Sequence, residues 1–218
     1  MSDYPGKYFV IDGADGCGKT TQVNLLEDHL KDKGYDVISI REPGGTEIGE
    51  QIREVLRNPS NSRMTPITEF FLLSAARSQL IHEVVIPALK KGKIVLSDRC
   101  KFSTEAYQGE AGGMGLAPVK YTADYLFSEY NLKIDGGVIV LPDDSELEAL
   151  LEEEKHIDRY HQKAIEFHLK VNKAYRRIAK ENGLEIIRYI KGEKGKEIEA
   201  IMRMQQPMRA YFDSLLIN

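Results

Sequence analysis

Apolar and polar positions alternate between two periods along this chain, and the alternation lays out its elements. Tyr8-Phe9-Val10-Ile11 is a short unbroken apolar run, the mark of a strand buried on both faces. A helical pattern opens at Thr21-Gln22-Val23-Asn24-Leu25-Leu26 and carries Leu30 on the same apolar side. Further strands are predicted at Val37-Ile38-Ser39-Ile40, at Ile94-Val95-Leu96-Ser97, from Gly136 to Leu141 and from Glu185 to Ile190. Between them the spacing predicts a long helix from Pro66 to about Lys90. Thr65 is its N-cap, Pro66 takes its first position and Pro87 kinks its last turn. A second long helix is predicted over Asp158 to Asn182, stopped by Gly183. A C-terminal helix from Lys196 carries Ile198, Ile201, Met202, Met208, Tyr211, Phe212 and Leu215 as core-covering residues, with Pro207 interrupting it. Strands alternating with helices imply a five-stranded parallel sheet with helices on both faces, an α/β fold.

Composition narrows this picture without redirecting it. The chain has 218 residues, 42% of them apolar and 29% charged, enough for one α/β domain (residues 1–218) and too few for a second independent core. No apolar run approaches the ~20 residues of a membrane span, and Met1-Ser2-Asp3-Tyr4-Pro5 lacks the basic-then-apolar layout of a secretory signal. Two cysteines make no disulfide framework, so a cytoplasmic location is expected. With 30 basic and 34 acidic residues the net charge is −4, which argues against a nucleic-acid partner and for a small anionic substrate in a basic pocket.

Candidate chemistry gathers at the carboxyl ends of the predicted strands. After the first strand stands Gly13-Ala14-Asp15-Gly16-Cys17-Gly18-Lys19-Thr20, followed by Thr21, which fits the phosphate-loop pattern. Its glycines let backbone N–H groups and a helix N-terminus converge on a phosphate. Lys19 would reach the outer phosphates of a nucleoside triphosphate such as ATP, and the Thr20 hydroxyl would complete an Mg2+ shell. Arg41-Glu42-Pro43-Gly44-Gly45-Thr46 follows the second strand, placing Arg41 where anions gather in parallel sheets. Ser97-Asp98-Arg99 closes the third, with Asp98 suited to Mg2+ or its waters and Arg99 to a phosphate. Each pattern alone also reads as a turn or a solvated ion pair, and a phosphate loop alone does not separate kinases, GTPases and motor ATPases. Together, Lys19, Arg41 and Arg99 can neutralise two facing phosphate groups, as phosphoryl transfer requires.

The chain resembles the thymidylate kinase family over residues 8 to about 180. The resemblance rests on Phe9-Val10-Ile11-Asp12-Gly13 with Thr20-Thr21-Gln22, and on Arg41 to Thr46 followed by Gly49-Glu50 and Ile52-Arg53. It continues in Ala75-Ala76-Arg77 with Gln79, in Asp98-Arg99 with Ser103 and Ala106-Tyr107-Gln108-Gly109, and in Asp158-Arg159 with Phe167, Val171 and Tyr175. It implies transfer of the γ-phosphate of ATP to deoxythymidine monophosphate (dTMP), in nucleotide biosynthesis, by a homodimer joined through its long helices. It further implies that Asp15 binds the sugar 3′-hydroxyl, Arg99 holds the acceptor phosphate with Arg41 assisting, and Arg77 bonds O4 of the base. Thr104 would face the Watson–Crick edge, Tyr107 would lie under the sugar, Ser103 and Gln108 would join the substrate site, and Asp98 would belong to the metal and phosphate shell. Read from the chain itself, Arg77 stands in a helical stripe with Phe70, Leu73, Leu80, Ile81 and Val84; such an arginine snorkels at a border or, if buried, needs an acceptor.

Four positions depart from the family pattern. Leu73 stands where a phenylalanine usually stacks on thymine, and Cys100 replaces a tyrosine and reads as a packing residue. In the lid, expected near residues 143–160, Glu154 occupies the place of a catalytic arginine, which leaves Lys155 or Arg159 as substitutes; His161, in place of a glutamate, reads as surface. Two rival readings follow: a kinase for another deoxynucleotide such as dUMP, from Leu73, and a nucleotide-binding regulator with little catalysis, from the acidic lid. A switch-type ATPase would leave Arg41, Arg77 and Arg99 without a second anion or base to bind.

Overall fold

The computed structural model describes residues 4–153, 163–193 and 195–217. Five parallel strands, β1 (Lys7–Gly13), β2 (Val37–Arg41), β3 (Ile94–Asp98), β4 (Gly136–Leu141) and β5 (Glu185–Arg188), form one sheet in the order β2-β3-β1-β4-β5. The central strand β1 buries Tyr8, Phe9, Val10 and Ile11 almost completely, because helices cover a parallel sheet and leave no wet face for alternation. Register sets the functional edge. Ile11 pairs with Asp98, and Asp98 pairs with Arg41, so β1, β3 and β2 end beside one another.

Each connection crosses over through helices. α1 (Lys19–Asp32) buries Val23, Leu26 and Leu30, the predicted apolar side. α2 (Glu47–Arg57) starts at Thr46, whose side chain caps the Gly49 amide. α3 (Pro66–Leu80) starts as predicted, with the Thr65 hydroxyl accepting from the Thr68 amide and Pro66 in the first turn. The single helix expected from Pro66 to Lys90 is instead interrupted by a π-helical turn over Ile81–Val85, after which α4 runs from Ile86 to Lys90. Pro87 explains the change. It has no N–H and its ring crowds the carbonyl four residues back, so the chain widens one turn upstream and the Ile86 amide reaches Ile81. α5 (Lys101–Thr104) runs into a second π turn at Glu105–Ala111, followed by α6 (Leu116–Glu129).

α7 (Leu147–Glu153) falls within the range expected for the lid. α8 (Ile165–Asn182) begins later than predicted, since Lys163 and Ala164 are not helical, and ends at Gly183 in the left-handed conformation, φ 63°. α9 (Glu197–Leu216) corrects two expectations. Pro207 sits inside a continuous helix, because packing of Met204, Met208 and Phe212 outweighs one missing hydrogen bond. Ile198 and Met202 are exposed rather than core-covering, since the buried row Ala200, Met204, Met208 and Phe212 advances by fours and residues two positions away face outward. α1 and α9 pack on each other and on the sheet, while α4, α5 and α8 pack on β3, β1 and β4. Among the described residues, no helix is long and apolar enough to cross a membrane.

The Phe212 ring lies 5.1 Å from that of Phe9, centroid to centroid, and both are buried. Phe212→Ala should therefore cost about 3–5 kcal/mol in urea unfolding. Ile198→Ser should change stability by no more than about 0.5 kcal/mol. Equal losses at the two positions would contradict the assigned orientation of α9.

Candidate active site

The phosphate loop is shaped by backbone conformations that side chains oppose. Gly13 has φ 139°, and a Cβ there would stand 2.0 Å from the Val140 carbonyl oxygen. Gly18 takes φ 67° directly before α1 and offers no capping side chain, so the helix presents its first amides unblocked toward the loop. Ala14 and Cys17 turn into the core, Gly13 is buried and Thr21 is exposed; these four loop residues do not line the cavity described below.

Lys19 is buried, and its Nζ donates to the Ala14 carbonyl. No ion pair joins it to a described carboxylate within 4.0 Å. Burial first, then the nearby Arg99, hold its ammonium below the usual lysine range against the pull of Asp15. Such a buried cation is stabilised by an incoming anion. Beside it the Thr20 hydroxyl donates to Asp98 Oδ2 at 2.6 Å. This hydroxyl–carboxylate pair suits Mg2+, which is bound through one or two carboxylates together with substrate phosphates and water.

Arg99 follows β3 in a conformation rarely taken by a residue with a side chain, φ 75°. Its backbone is clamped from both sides: its amide donates to the Ile11 carbonyl at 2.9 Å, and its carbonyl accepts from the Ser97 hydroxyl at 2.6 Å. The guanidinium donates to the Gly13 carbonyl and Ser103 Oγ, each at 3.1 Å, and pairs with Asp15. Asp15 also accepts from the Tyr107 hydroxyl at 2.7 Å, and Arg99 lies 5.6 Å from the Tyr107 ring centroid. Burial draws the guanidinium pKa down, but Asp15 and then Tyr107, Tyr175 and Asp12 outweigh it and raise it well above its usual value.

Arg77 takes the second of the two readings of its helical stripe. It does not snorkel; it is buried, and the chain supplies its acceptors. Its Nε donates to Glu42 at 2.6 Å, and its Nη2 to the Cys100 carbonyl at 3.0 Å and to Thr104 Oγ1 at 2.9 Å. Nη1 makes no hydrogen bond within the described residues. Burial lowers the Arg77 pKa, but Glu42 outweighs it and raises it. Thr104 is likewise engaged by Arg77, and Gln108 Nε2 donates to Glu69 at 2.7 Å. Arg41 is exposed at the rim and pairs with Glu50, which also accepts from the Gly45 amide. Cys100 is a buried free thiol pushed up by burial, in keeping with a packing role.

One cavity of about 400 Å³ collects these groups. Asp15, Gly16, Gly18, Lys19 and Thr20 line it from the loop, and Arg41 from the end of β2. Leu73 and Arg77 reach it from α3, and Asp98 and Arg99 from the end of β3. Ser103, Thr104, Tyr107 and Gln108 complete it from α5 and the π turn after it. Lys155 and Arg159 lie outside the described residues, as do Glu154, Asp158 and His161. Sequence reasoning gave three groups no role of their own. Glu42 anchors Arg77; Arg53 and Arg57 line the cavity from successive turns of α2; and Asp12 is completely buried below it. The four-residue spacing of Arg53 and Arg57 is legible in the chain, whereas Asp12 reads as one more strand residue.

Comparison with known proteins decides the family. The thymidylate kinase family model matches residues 11–200. The chain belongs to the thymidylate kinase family. It is 42% identical over 181 residues to the thymidylate kinase of Caldanaerobacter subterraneus subsp. tengcongensis, covering 81% of this chain and 83% of the relative. It is 38% identical over 177 residues to that of Thermoanaerobacter sp. strain X514, covering 81% and 85%. The crystal structure of thymidylate kinase from Ehrlichia chaffeensis superposes with a TM-score of 0.72 at 25% identity, covering 93% of this chain and 98% of that one.

The Lys19 environment yields a test with a defined sign. Its native pKa is depressed, so the unfolded chain binds the proton more tightly and the residue's unfavourable contribution is full at pH values below that depressed pKa. That contribution fades as pH rises toward the ordinary lysine value of about 10.4. Lys19→Met should raise the ligand-free Tm at pH 7 by about 2–4 °C, and the gap to wild type should narrow as pH rises. A lower Tm at every pH would contradict this picture.

Proposed function

We propose that this chain transfers the γ-phosphate of ATP to dTMP to give dTDP, as a step of nucleotide biosynthesis. The observation that carries the reading is that one cavity joins a phosphate loop to a second cationic pocket built around Arg99 and Arg77. A hydrolase needs the first only. A monophosphate kinase needs both, with the two nucleotides meeting end to end.

The ATP phosphates take the loop amides from Asp15 to Thr20, with Lys19 on the outer phosphates; the Gly13 and Ala14 amides are already engaged by Asp12 and the Val140 carbonyl. Thr20 and Asp98 would hold Mg2+, which supplies charge neutralisation between the phosphates when bound. Arg99 takes the dTMP phosphate, with Arg41 assisting from the rim and Ser103 beside it. Asp15 then exchanges its pairing with Arg99 for the sugar 3′-hydroxyl. No general base is needed, because the attacking phosphate oxygen is already ionised at pH 7. Arg99 and Lys19 stabilise the charge that spreads over the transferring group.

Base selection follows from what Arg77 has left to give. With Nε and Nη2 engaged, Nη1 is available to thymine O4, and Glu42 fixes the plane in which it points. Gln108 and Thr104 border the base, Leu73 forms an apolar wall for its methyl group, and the Tyr107 ring disfavours a ribose 2′-hydroxyl. Burying one methyl contributes about 0.8 kcal/mol, so thymine should be preferred to uracil only a few-fold. Leaving a buried donor unpaired costs about 1–3 kcal/mol, so cytosine should be rejected more strongly.

The finer properties are part of the same reading. We place the protein in the cytoplasm, since both cysteines are free buried thiols. We regard residues 1–218 as one functional unit and do not assign it a nucleic-acid partner, given its net charge of −4. A homodimer is supported by exposed apolar side chains at helical spacing on neighbouring helices: Ile48 and Val55 on α2, Ile67 and Phe71 on α3, and Tyr121 and Tyr125 on α6.

A coupled assay with each deoxynucleoside monophosphate tests the reading. dTMP should be turned over best, with dUMP a few-fold behind, and equal or better turnover of a base lacking O4 would overturn the assignment. Arg99→Ala should lower kcat/KM for dTMP by about 10²–10³-fold while ATP still binds. Unchanged turnover would remove Arg99 from the site.

A further inference from the structure

Asp12 does not line the cavity, yet amides and hydroxyls from distant parts of the chain converge on its carboxylate. It has no exposed surface. Its Oδ1 accepts from the Gly13 amide at 2.8 Å, Ser103 Oγ at 2.6 Å and the Tyr175 hydroxyl at 2.7 Å. Its Oδ2 accepts from the Cys100 amide at 3.2 Å and the Ser103 amide at 3.0 Å. These donors come from the phosphate loop, from Cys100 in the turn between β3 and α5, from Ser103 on α5, and from Tyr175 on α8. Arg99 Nη1 stands 3.6 Å from Oδ1, beyond a direct hydrogen bond, and reaches Asp12 through Ser103 instead.

The polarity of that relay is fixed by proton count. A serine hydroxyl has one proton, and Ser103 donates it to Asp12, so its lone pairs face Arg99 Nη1. Tyr175 likewise donates to Asp12 and stands 3.5 Å from the same guanidinium nitrogen. The carboxylate also ties down the Cys100 amide immediately after Arg99, whose left-handed backbone needs such support to persist, and the Ser103 amide one turn further on in α5. Amides wrapped round a carboxylate hold the turn as they would hold a bound anion.

We propose that Asp12 is a positioning residue for phosphoryl transfer, which acts through Ser103, Tyr175 and the turn after β3 to fix the guanidinium of Arg99 toward the acceptor phosphate. The inference rests on the kinase reading above and deepens it. It links the acceptor-side arginine to α8 through a single buried carboxylate and predicts that Asp12 serves the acceptor and not the donor nucleotide.

A double-mutant cycle tests this by steady-state kinetics and by calorimetric titration with dTMP. Asp12→Asn keeps the volume but leaves an amide that cannot accept from all of these donors. It should lower kcat/KM for dTMP by about 10–100-fold and leave the KM for ATP within about two-fold of wild type. Added to Arg99→Ala, it should cost less than about three-fold more, because the group it positions is gone. A purely structural role would instead give the same loss in both backgrounds, with ATP and dTMP equally affected, and that result overturns the proposal. Should Asp12→Asn fail to fold, Tyr175→Phe removes one donor without changing shape; it should cost about 3–10-fold and be equally silent in the Arg99→Ala background. If wild type binds dTMP but moves no phosphate, the reaction assigned above is refuted, while the affinity cycle still decides the role of Asp12.

Discussion

The parallel register of β2, β3 and β1 is the constraint on which the site depends. Pairing Ile11 with Asp98, and Asp98 with Arg41, brings the carboxyl ends of three strands to one edge, and every group proposed to bind phosphate hangs from those ends or from the turns and helix starts that follow them. A slip of one residue in β3 or β2 would turn Asp98 or Arg41 to the opposite face of the sheet. Helix coverage of both apolar faces enforces the register, because Tyr8, Phe9, Val10 and Ile11 have no polar alternative to burial. Catalytic geometry is thus held by the least polar part of the chain.

Charge is distributed across that frame in a way that prepares it for anions. Arg77 and Glu42 form a closed buried pair, which leaves Arg77 a fixed direction rather than a free charge. Arg99 is balanced by Asp15, a partner with a second use at the sugar in our reading. Lys19 has only a carbonyl acceptor among the described residues, and its charge is disfavoured until phosphate arrives. The three cations therefore differ in how strongly they need a ligand: Lys19 most, Arg99 by exchange of partners, and Arg77 least. Asp12 stabilises the middle member of this series from below.

Much of this is legible in the amino-acid sequence alone. All five strands can be read because short apolar runs between glycines and charged residues have few other solutions. The phosphate loop, Arg41 and Arg99 can be read because their positions after strands are fixed by the fold class. What the chain conceals is long-range partners. No local pattern says that Glu42 will meet Arg77 across 35 positions, or that Asp12 will gather donors from Cys100, Ser103 and Tyr175. Prolines mislead about helix interruptions in both directions: Pro87 is relieved by a π turn one step earlier, while Pro207 is tolerated because buried neighbours hold its helix together. Local propensity proposes such breaks, and tertiary packing decides them.

The central claim is that two nucleotides meet end to end in one cationic cleft. Calorimetric titration with adenosine and thymidine joined 5′ to 5′ through five phosphates measures this most directly. If both pockets belong to one site, the joined compound should bind at least about 10²-fold more tightly than ATP or dTMP alone, because the second half is delivered at high effective concentration. It should also bind with a stoichiometry of one per chain. An affinity no better than that of ATP, or simultaneous binding of the joined compound and dTMP, would contradict the account.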